Sequence, residues 1–373
     1  MFTPRGLAAS SGGLIGALLR DEASAPIDDD QMRSHFCIAR RAMACEFSTF
    51  IPPWYVNAWA AGETALGIVD EMEDLLTVYR ESSDVSYLNR MAAERRVRVD
   101  ERLYLLLKRC AELTAQTEGA FDVSAGALVK AWGFLRGPQR VPSEQERLAA
   151  LARTGMRYVE FDDEEHTVRY GVKGLEINLG SIGKGYAMDR AVGRVREQYG
   201  IDSLLMQGGM SSLLAIGSPT GDDSGWLVGI QDPEEPARRV ATVRLRDRGM
   251  GTSGNANQHF TAGGRRYGHV LDPRCGEPVD ELGSVSVFAP DAATADALST
   301  ALFVLGLDKI AEFCQNHPRI GALVVLKRRP GPSDGTRPRV LTFNLPREDV
   351  NTKPGDDPPS TRVLQMQSDS ESL

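Results

Sequence analysis

The chain has 373 residues, 42% of them hydrophobic and 25% charged, with a net charge of −8. That length suffices for a large core and two lobes, and the composition is that of a soluble globular protein rather than a fibrous or low-complexity one. The acidic balance excludes a nucleic-acid binder, which needs a basic surface, and no stretch approaches the roughly 20 apolar residues of a membrane span.

Residues 1–34 read as a disordered leader. Leu7 to Leu19 is apolar behind Arg5, but it is glycine-rich and ends in Arg20-Asp21-Glu22. A cytoplasmic leader is expected, with export to the periplasmic side of a membrane as the alternative. Order is expected from about Phe36, and one domain of two lobes from 35 to 346. The apolar spacing predicts a helix over Asn57–Tyr79, through Leu66, Val69, Met72, Leu75 and Leu76, and another over Arg102–Thr117 that ends at Gly119. Ser143, with Glu146 three residues on, predicts a capped helix to Arg153. Strands are expected around Tyr158–Phe161, Thr167–Tyr170 and Leu175–Leu179, and a helix from Lys184 to about Tyr199. Further strands are expected at Ser203–Met206, Ser212–Ile216, Trp226–Gln231, Val240–Arg246 and Ser284–Phe288. The stretch Gly249 to Gly276 is glycine-rich and polar. A helix over Ala293–Leu305 follows, Leu307–Gln315 and Gly321–Lys327 extend the pattern, and Arg328–Arg339 reads as an exposed loop. From Arg347 the tail is polar, aperiodic and expected to be disordered. Strands in antiparallel-style runs mixed with helices indicate α+β. The five cysteines, Cys37, Cys45, Cys110, Cys275 and Cys314, are scattered with no C-x-x-C pair, which predicts reduced thiols rather than disulfides or a zinc site.

Four segments carry chemistry. In Glu176-Ile-Asn-Leu-Gly-Ser-Ile-Gly-Lys-Gly-Tyr-Ala-Met-Asp189, an apolar strand runs into glycines, Lys184 and a helix. Bare N–H groups, a helix N-terminus and one cation make a seat for phosphate. The spacing is neither that of the P-loop nor that of the dinucleotide fingerprint, and a plain strand-to-helix corner would look similar. In Ala293-Thr-Ala-Asp-Ala-Leu-Ser-Thr300, Asp296 and Thr300 share a helix face, a hard-oxygen pair suited to Mg²⁺ or Ca²⁺. Alternatively, Asp296 caps its helix and Thr300 bonds back to it. Gly251-Thr-Ser-Gly254 is followed by Gly268-His-Val-Leu-Asp272, where His269 is suited to moving a proton near neutral pH or serves the turn. Gly119-Ala-Phe-Asp-Val-Ser124, running on to Trp132-Gly-Phe134, offers aromatics and a carboxylate to a flat heterocycle, or packs a core.

Taken together and in this order, these segments resemble the ApbE family of FAD:protein FMN transferases. The likeness runs from about Met43 to Leu326 and includes Tyr79-Arg80, Ser82, Ser83, Asn89 and Gly208-Gly209. It implies an ApbE-like, T-fold-related arrangement of mixed sheets with packed helices. The implied reaction is Mg²⁺-dependent transfer of the FMN half of FAD to a Thr or Ser hydroxyl of a target flavoprotein, with release of AMP. By the same resemblance, the metal ligands fall on Asp296, Thr300 and the Ser181 carbonyl. Contacts to FAD fall on Met43, Tyr79, Ala120, Phe121, Asp122, Asn178, Lys184, His269 and Val270. Lys184 and His269 are the implied catalytic groups, His269 as proton acceptor or orienter, and Asp272 is structural. The chain departs from the family pattern at Ala44-Cys45 (usually Gly-Thr), Asn178 (usually Asp), Met210 (usually Asp) and Gly183 (commonly Ala). A hydrolase that splits FAD into FMN and AMP, and an FAD-binding protein without turnover, are the alternatives.

Overall fold

Several strands of this protein are apolar on both faces, and the architecture follows from that. The computed structural model describes residues 35–135, 137–256, 258–328 and 338–352. The leader expected at 1–34, most of the loop expected at Arg328–Arg339 and the tail beyond 352 lie outside them.

The chain opens with a hairpin of β1 (Phe36–Ala42) and β2 (Cys45–Ile51), then α1 (Ala58–Leu76), α2 (Asp84–Met91), β3 (Val97–Arg98), α3 (Glu101–Gln116), α4 (Gly126–Ala131) and α5 (Glu144–Leu151). The next elements are β4 (Val159–Asp162), β5 (Thr167–Tyr170), α6 (Gly183–Tyr199), β6 (Leu204–Gly208) and β7 (Ser212–Ile216). Then come β8 (Trp226–Gln231), β9 (Arg239–Leu245), β10 (Arg248–Gly254), β11 (His259–Ala262), β12 (Arg265–Gly268), β13 (Leu271–Asp272), β14 (Glu277–Pro278) and β15 (Ser284–Ala289). The described chain closes with α7 (Ala292–Leu305), α8 (Leu307–Asn316), β16 (Gly321–Val325), β17 (Val340–Phe343) and β18 (Val350–Asn351).

The centre is an eight-stranded sheet of order β1-β2-β6-β7-β10-β15-β16-β17, antiparallel at every pairing. Side chains alternate between its faces. Leu204, Met206, Leu214, Val285, Val287 and Val324 join the core under α1, α6 and α7. Their neighbours Leu205, Leu213, Phe288, Leu323 and Val325 join a second core beneath the small sheet β18-β9-β8. The fold is therefore α+β, as expected.

Two expectations are corrected, and one stretch left unassigned gains a strand. Leu175–Leu179 is no strand but an extended strap. Asn89 holds it by accepting from Ile177 N at 2.8 Å and donating to Ile177 O at 2.9 Å, so a side chain takes the place of a neighbouring strand. The polar stretch after Gly249 begins with β10, a central strand. The ordered chain runs past 346 because the edge of β9 takes another strand, Val350 pairing with Val243 and Asn351 with Thr242. The hairpins β1–β2 and β11–β12 and the helices α2 and α4 were not foreseen. Among the described residues no helix is long and apolar enough to cross a membrane.

Candidate active site

The expected phosphate-type loop is the turn that starts α6. Asn178 Oδ1 accepts from Gly180 N at 2.9 Å, a local bond that folds the strap into the turn, and the Asn178 N–H bonds Val123 O at 2.7 Å. Ser181 and Ile182 follow, and α6 begins at Gly183-Lys184. Asp296 faces this helix from the second turn of α7. Its Oδ2 accepts from Gly185 N at 2.8 Å and its Oδ1 from Ser212 Oγ at 2.7 Å. Asp291, not Asp296, caps α7, accepting from Thr294 N at 2.7 Å.

Backbone contact makes this possible. A Cβ on Gly185 would lie 2.2 Å from Ala292 O, and one on Gly251 would lie 2.5 Å from Ala295 O. With hydrogens there instead, α6 and β10 press directly on the first turns of α7. Asp189, on α6, adds a clasp. Its two oxygens accept from Ala292 N at 2.8 Å and Ala293 N at 2.9 Å.

Electrostatics mark the same place. Burial pushes Asp296 up to about 6 against the pull of Lys184, Ser212 and Gly185 N. Burial likewise pushes Asp189 up to about 7 and the Cys45 thiol up to about 11. The Lys184 charge reaches Asp296, Cys45 and His269 alike. His269 is held below its ordinary 6.5, first by burial and then by Lys184, although its bond to Gln258 opposes this. Its Nδ1 lies 3.1 Å from Gln258 O. A carbonyl only accepts, so the proton belongs on Nδ1 and the lone pair of the neutral ring on Nε2.

Thr300 sits one turn beyond Asp296. Its Oγ1 is 3.2 Å from Ser253 Oγ, which also meets Ser299 Oγ at 2.8 Å, and it lies 3.5 Å from Asp296 O. Met43 reaches Gly183, where a Cβ would lie 3.3 Å from its Cε. Met43 and Ala44 form the β1–β2 turn with φ of 51° and 62°. Tyr79, just past α1, is 55% exposed. Ala120 and Phe121 are core side chains, each 1% exposed. Asp122 turns inward to Ser124 N at 2.8 Å and Met156 N at 3.0 Å, so its carboxylate braces its own loop. Trp132 and Phe134 join Phe260 and Tyr267 in an aromatic group, with Phe134 6.5 Å from His269 between ring centroids. Phe121 stays apart from them in the main core. Val270 is buried and accepts from Val279 N at 2.9 Å. Asp272 is taken up by Arg274, with bonds of 2.8 and 2.9 Å.

Lys184, Asp296 and His269, distant in sequence, thus share one neighbourhood with Met43, Asn178, Ser181 and Thr300 around it. Ser212 and Asp189 had no role in the sequence reading. Asp189 ends the quoted motif five residues after Lys184, and that position was its only signal. Among the described residues no group of three or more His, Cys, Asp or Glu side chains could hold a metal ion. A cation here would rest on one carboxylate with hydroxyl and carbonyl oxygens.

Known proteins resemble the chain over most of its described length. The model of the ApbE family matches residues 43–324. The FAD:protein FMN transferase of Treponema pallidum is 34% identical over 280 residues, covering 71% of this chain and 77% of that protein. The crystal structure of the ApbE protein of Thermotoga maritima superposes with a TM-score of 0.73 at 31% identity, covering 78% of this chain and 94% of that one. The Pseudomonas stutzeri flavinyl transferase ApbE, in its apo form, gives a TM-score of 0.71 at 27% identity, covering 83% and 94%. With the family model matching most of the chain and a relative 34% identical over 71% of it, the chain belongs to the ApbE family.

Proposed function

We propose that this protein is an FAD:protein FMN transferase that moves the FMN half of FAD onto a Thr or Ser hydroxyl of a partner flavoprotein and releases AMP. The observation that carries the reading is that the charge of Lys184, at the start of α6, acts on both the buried Asp296 and the partly buried His269.

Each group has work suited to its surroundings. The α6 N-terminus and Lys184 attract the diphosphate of FAD and neutralise the charge that gathers there. His269 Nε2 takes the proton of the acceptor hydroxyl. The hydroxyl oxygen forms a bond to the FMN-side phosphorus, the bond from that phosphorus to the bridging oxygen breaks, and AMP leaves with that oxygen. Tyr79, exposed at the end of α1, is placed to stack on a ring, and Met43 packs over the loop.

The donors present fit Mg²⁺. Asp296 is a buried carboxylate whose charge is poorly compensated in its pocket, and Thr300 adds a hydroxyl. The Gly185 N–H that binds Asp296 is a first-turn donor of α6, which no helix carbonyl takes, and the Ser181 carbonyl just before the helix is the third ligand that the family resemblance implies. When bound, Mg²⁺ would supply positive charge to the diphosphate oxygens.

The test is incubation of purified protein with FAD and Mg²⁺, with and without an acceptor peptide containing a candidate Thr. AMP together with a peptide carrying the mass of FMN supports the transferase. AMP and free FMN in the presence of the natural acceptor point to a hydrolase, and intact bound FAD to a binding protein.

A further inference from the structure

Asn255 is 4% exposed and lies just past β10, in a segment given no role above. Its Nδ2 donates to Val279 O at 2.6 Å and approaches Asp280 Oδ1 at 3.3 Å. Its backbone carbonyl accepts from Arg266 Nη2 at 2.6 Å. Its Oδ1 is buried without a hydrogen-bond partner among the described residues. That oxygen presses on Gly268, where a Cβ would lie 2.1 Å from it.

The contacts converge on His269. Gly268 precedes it in the chain. Val279, whose carbonyl holds the amide, bonds Val270 O through its own N–H at 2.9 Å. Arg266 belongs to β12, which delivers the chain to His269. Asn255 therefore ties the end of β10 to the hairpins on either side of the histidine, its side-chain amide bonding Val279 O and packing on Gly268 while its backbone carbonyl takes Arg266. A buried acceptor left without a partner is costly, and bulk packing would be served as well by an apolar side chain of the same size. The amide is oriented by its donor side, since a flipped group would set Oδ1 against the Val279 carbonyl.

We infer that Asn255 is a positioning residue for His269, fixing the Gly268–Val270 turn so that the imidazole meets the reacting hydroxyl. The inference rests on the transferase reading for its chemical consequence but not for its geometry. It goes beyond the residue roles implied by family resemblance.

Two readouts test it. The first is the titration of the His269 ring by NMR, its signal assigned as the one missing from His269→Gln. In the wild type it is expected below 6.5, lowered by burial and by the Lys184 charge against the opposing bond to Gln258 O. In Asn255→Ala it is expected to move toward 6.5 as the turn loosens, and in Asn255→Asp to move above that as a carboxylate faces the turn. The second is AMP release, expected to fall at least tenfold in both variants, with its pH profile following the NMR shift. Asn344→Ala is the control. Asn344 is also a loop clamp, donating to Cys314 O at 2.6 Å and Ile320 O at 2.9 Å, remote in the fold from His269. Its loss is expected to lower stability and leave the His269 titration in place. A His269 signal unmoved in folded Asn255→Ala and Asn255→Asp overturns the inference. A wild type that releases no AMP overturns the transferase reading instead, and the NMR titration still decides for Asn255.

Discussion

Burial of the Asp296 carboxylate opposes its own ionisation, and two neutral donors with one lysine only partly offset this. The folded chain gains little from such a charge unless a cation shares it. Asp296→Ala is therefore expected to cost only about 1–3 kcal/mol of stability, mainly through the stranded Ser212 hydroxyl and Gly185 N–H. Metal-dependent AMP release should fall by about 100-fold or more. Turnover close to wild type would remove Asp296 from the metal site. His269 separates binding from chemistry in a different way. His269→Ala should slow transfer by about 10² to 10⁴, the range of general-base contributions, while FAD affinity measured by fluorescence quenching changes a few-fold. Equal loss of both would make His269 a binding residue only. The sequence draws the eye where a chemical type stands in a dense motif, as with Lys184 and Asp296. It is silent on Ser212, the second of two serines ahead of an apolar run, whose meaning comes only from what faces it.

At the scale of elements, the site is a wedge. α7 is driven between α6 and β10 until backbones touch, at the positions where α6 and β10 carry glycine. This explains why β10 was read as a polar glycine-rich stretch: its glycines are packing spacers in a central strand, where side-chain propensity gives no strand signal. The helices were easier, because 3.6-residue apolar spacing survives in α1, α3 and α6 whatever they pack against. The β1–β2 turn escaped because Met43 and Ala44 occupy positive φ, where Asn-Gly would have given it away. Gly251→Ala must push Ala295 and Asp296 aside. It is expected to cost about 1–3 kcal/mol and to lower AMP release well beyond what the loss of folded protein explains. Activity that tracks the folded fraction would contradict the wedge. The Asp189 clasp predicts a pH effect. Its folded pKa, about 7, lies above the ordinary 3.8. Between these values the folded state holds more protons than the unfolded one, so stability falls as pH rises, by up to about 1.4 kcal/mol per pH unit. The contribution is whole below 3.8 and gone above about 7. Asp189→Asn cannot titrate. In urea melts it should be the less stable protein near pH 5, with the gap narrowing or reversing by pH 8. Parallel curves for the two proteins would mean that Asp189 is already ionised in the fold.

Across the whole molecule, one sheet serves two cores. Leu204 and Leu205, or Val324 and Val325, are neighbours in sequence that end in different cores because side chains alternate along a strand. A strand buried on both sides shows as a plain apolar run, which is why β6, β7 and β15 were legible as strands while their order was not. The β1–β2 turn, with Met43 against Gly183, lies at one end of that hairpin. Exposed Phe36, Trp54 and Val56 lie at or just past the other end, about 20 Å away by strand rise. Neither core can be stripped from the sheet without exposing apolar strand faces to water, so the two should melt together. Leu66→Ala, in α1 over the first core, and Ile230→Ala, in β8 over the second, are each expected to cost about 2–5 kcal/mol. Both should shift a single transition, seen at the same midpoint by tryptophan fluorescence and by far-UV circular dichroism. At temperatures where the variants stay folded, Ile230→Ala should leave the KM for FAD unchanged, because the small sheet lies across the central sheet from α6 and α7. A separate early transition in Ile230→Ala would show that β8 and β9 form a unit of their own, and a raised KM would show that the second core also holds the α6–α7 junction in place.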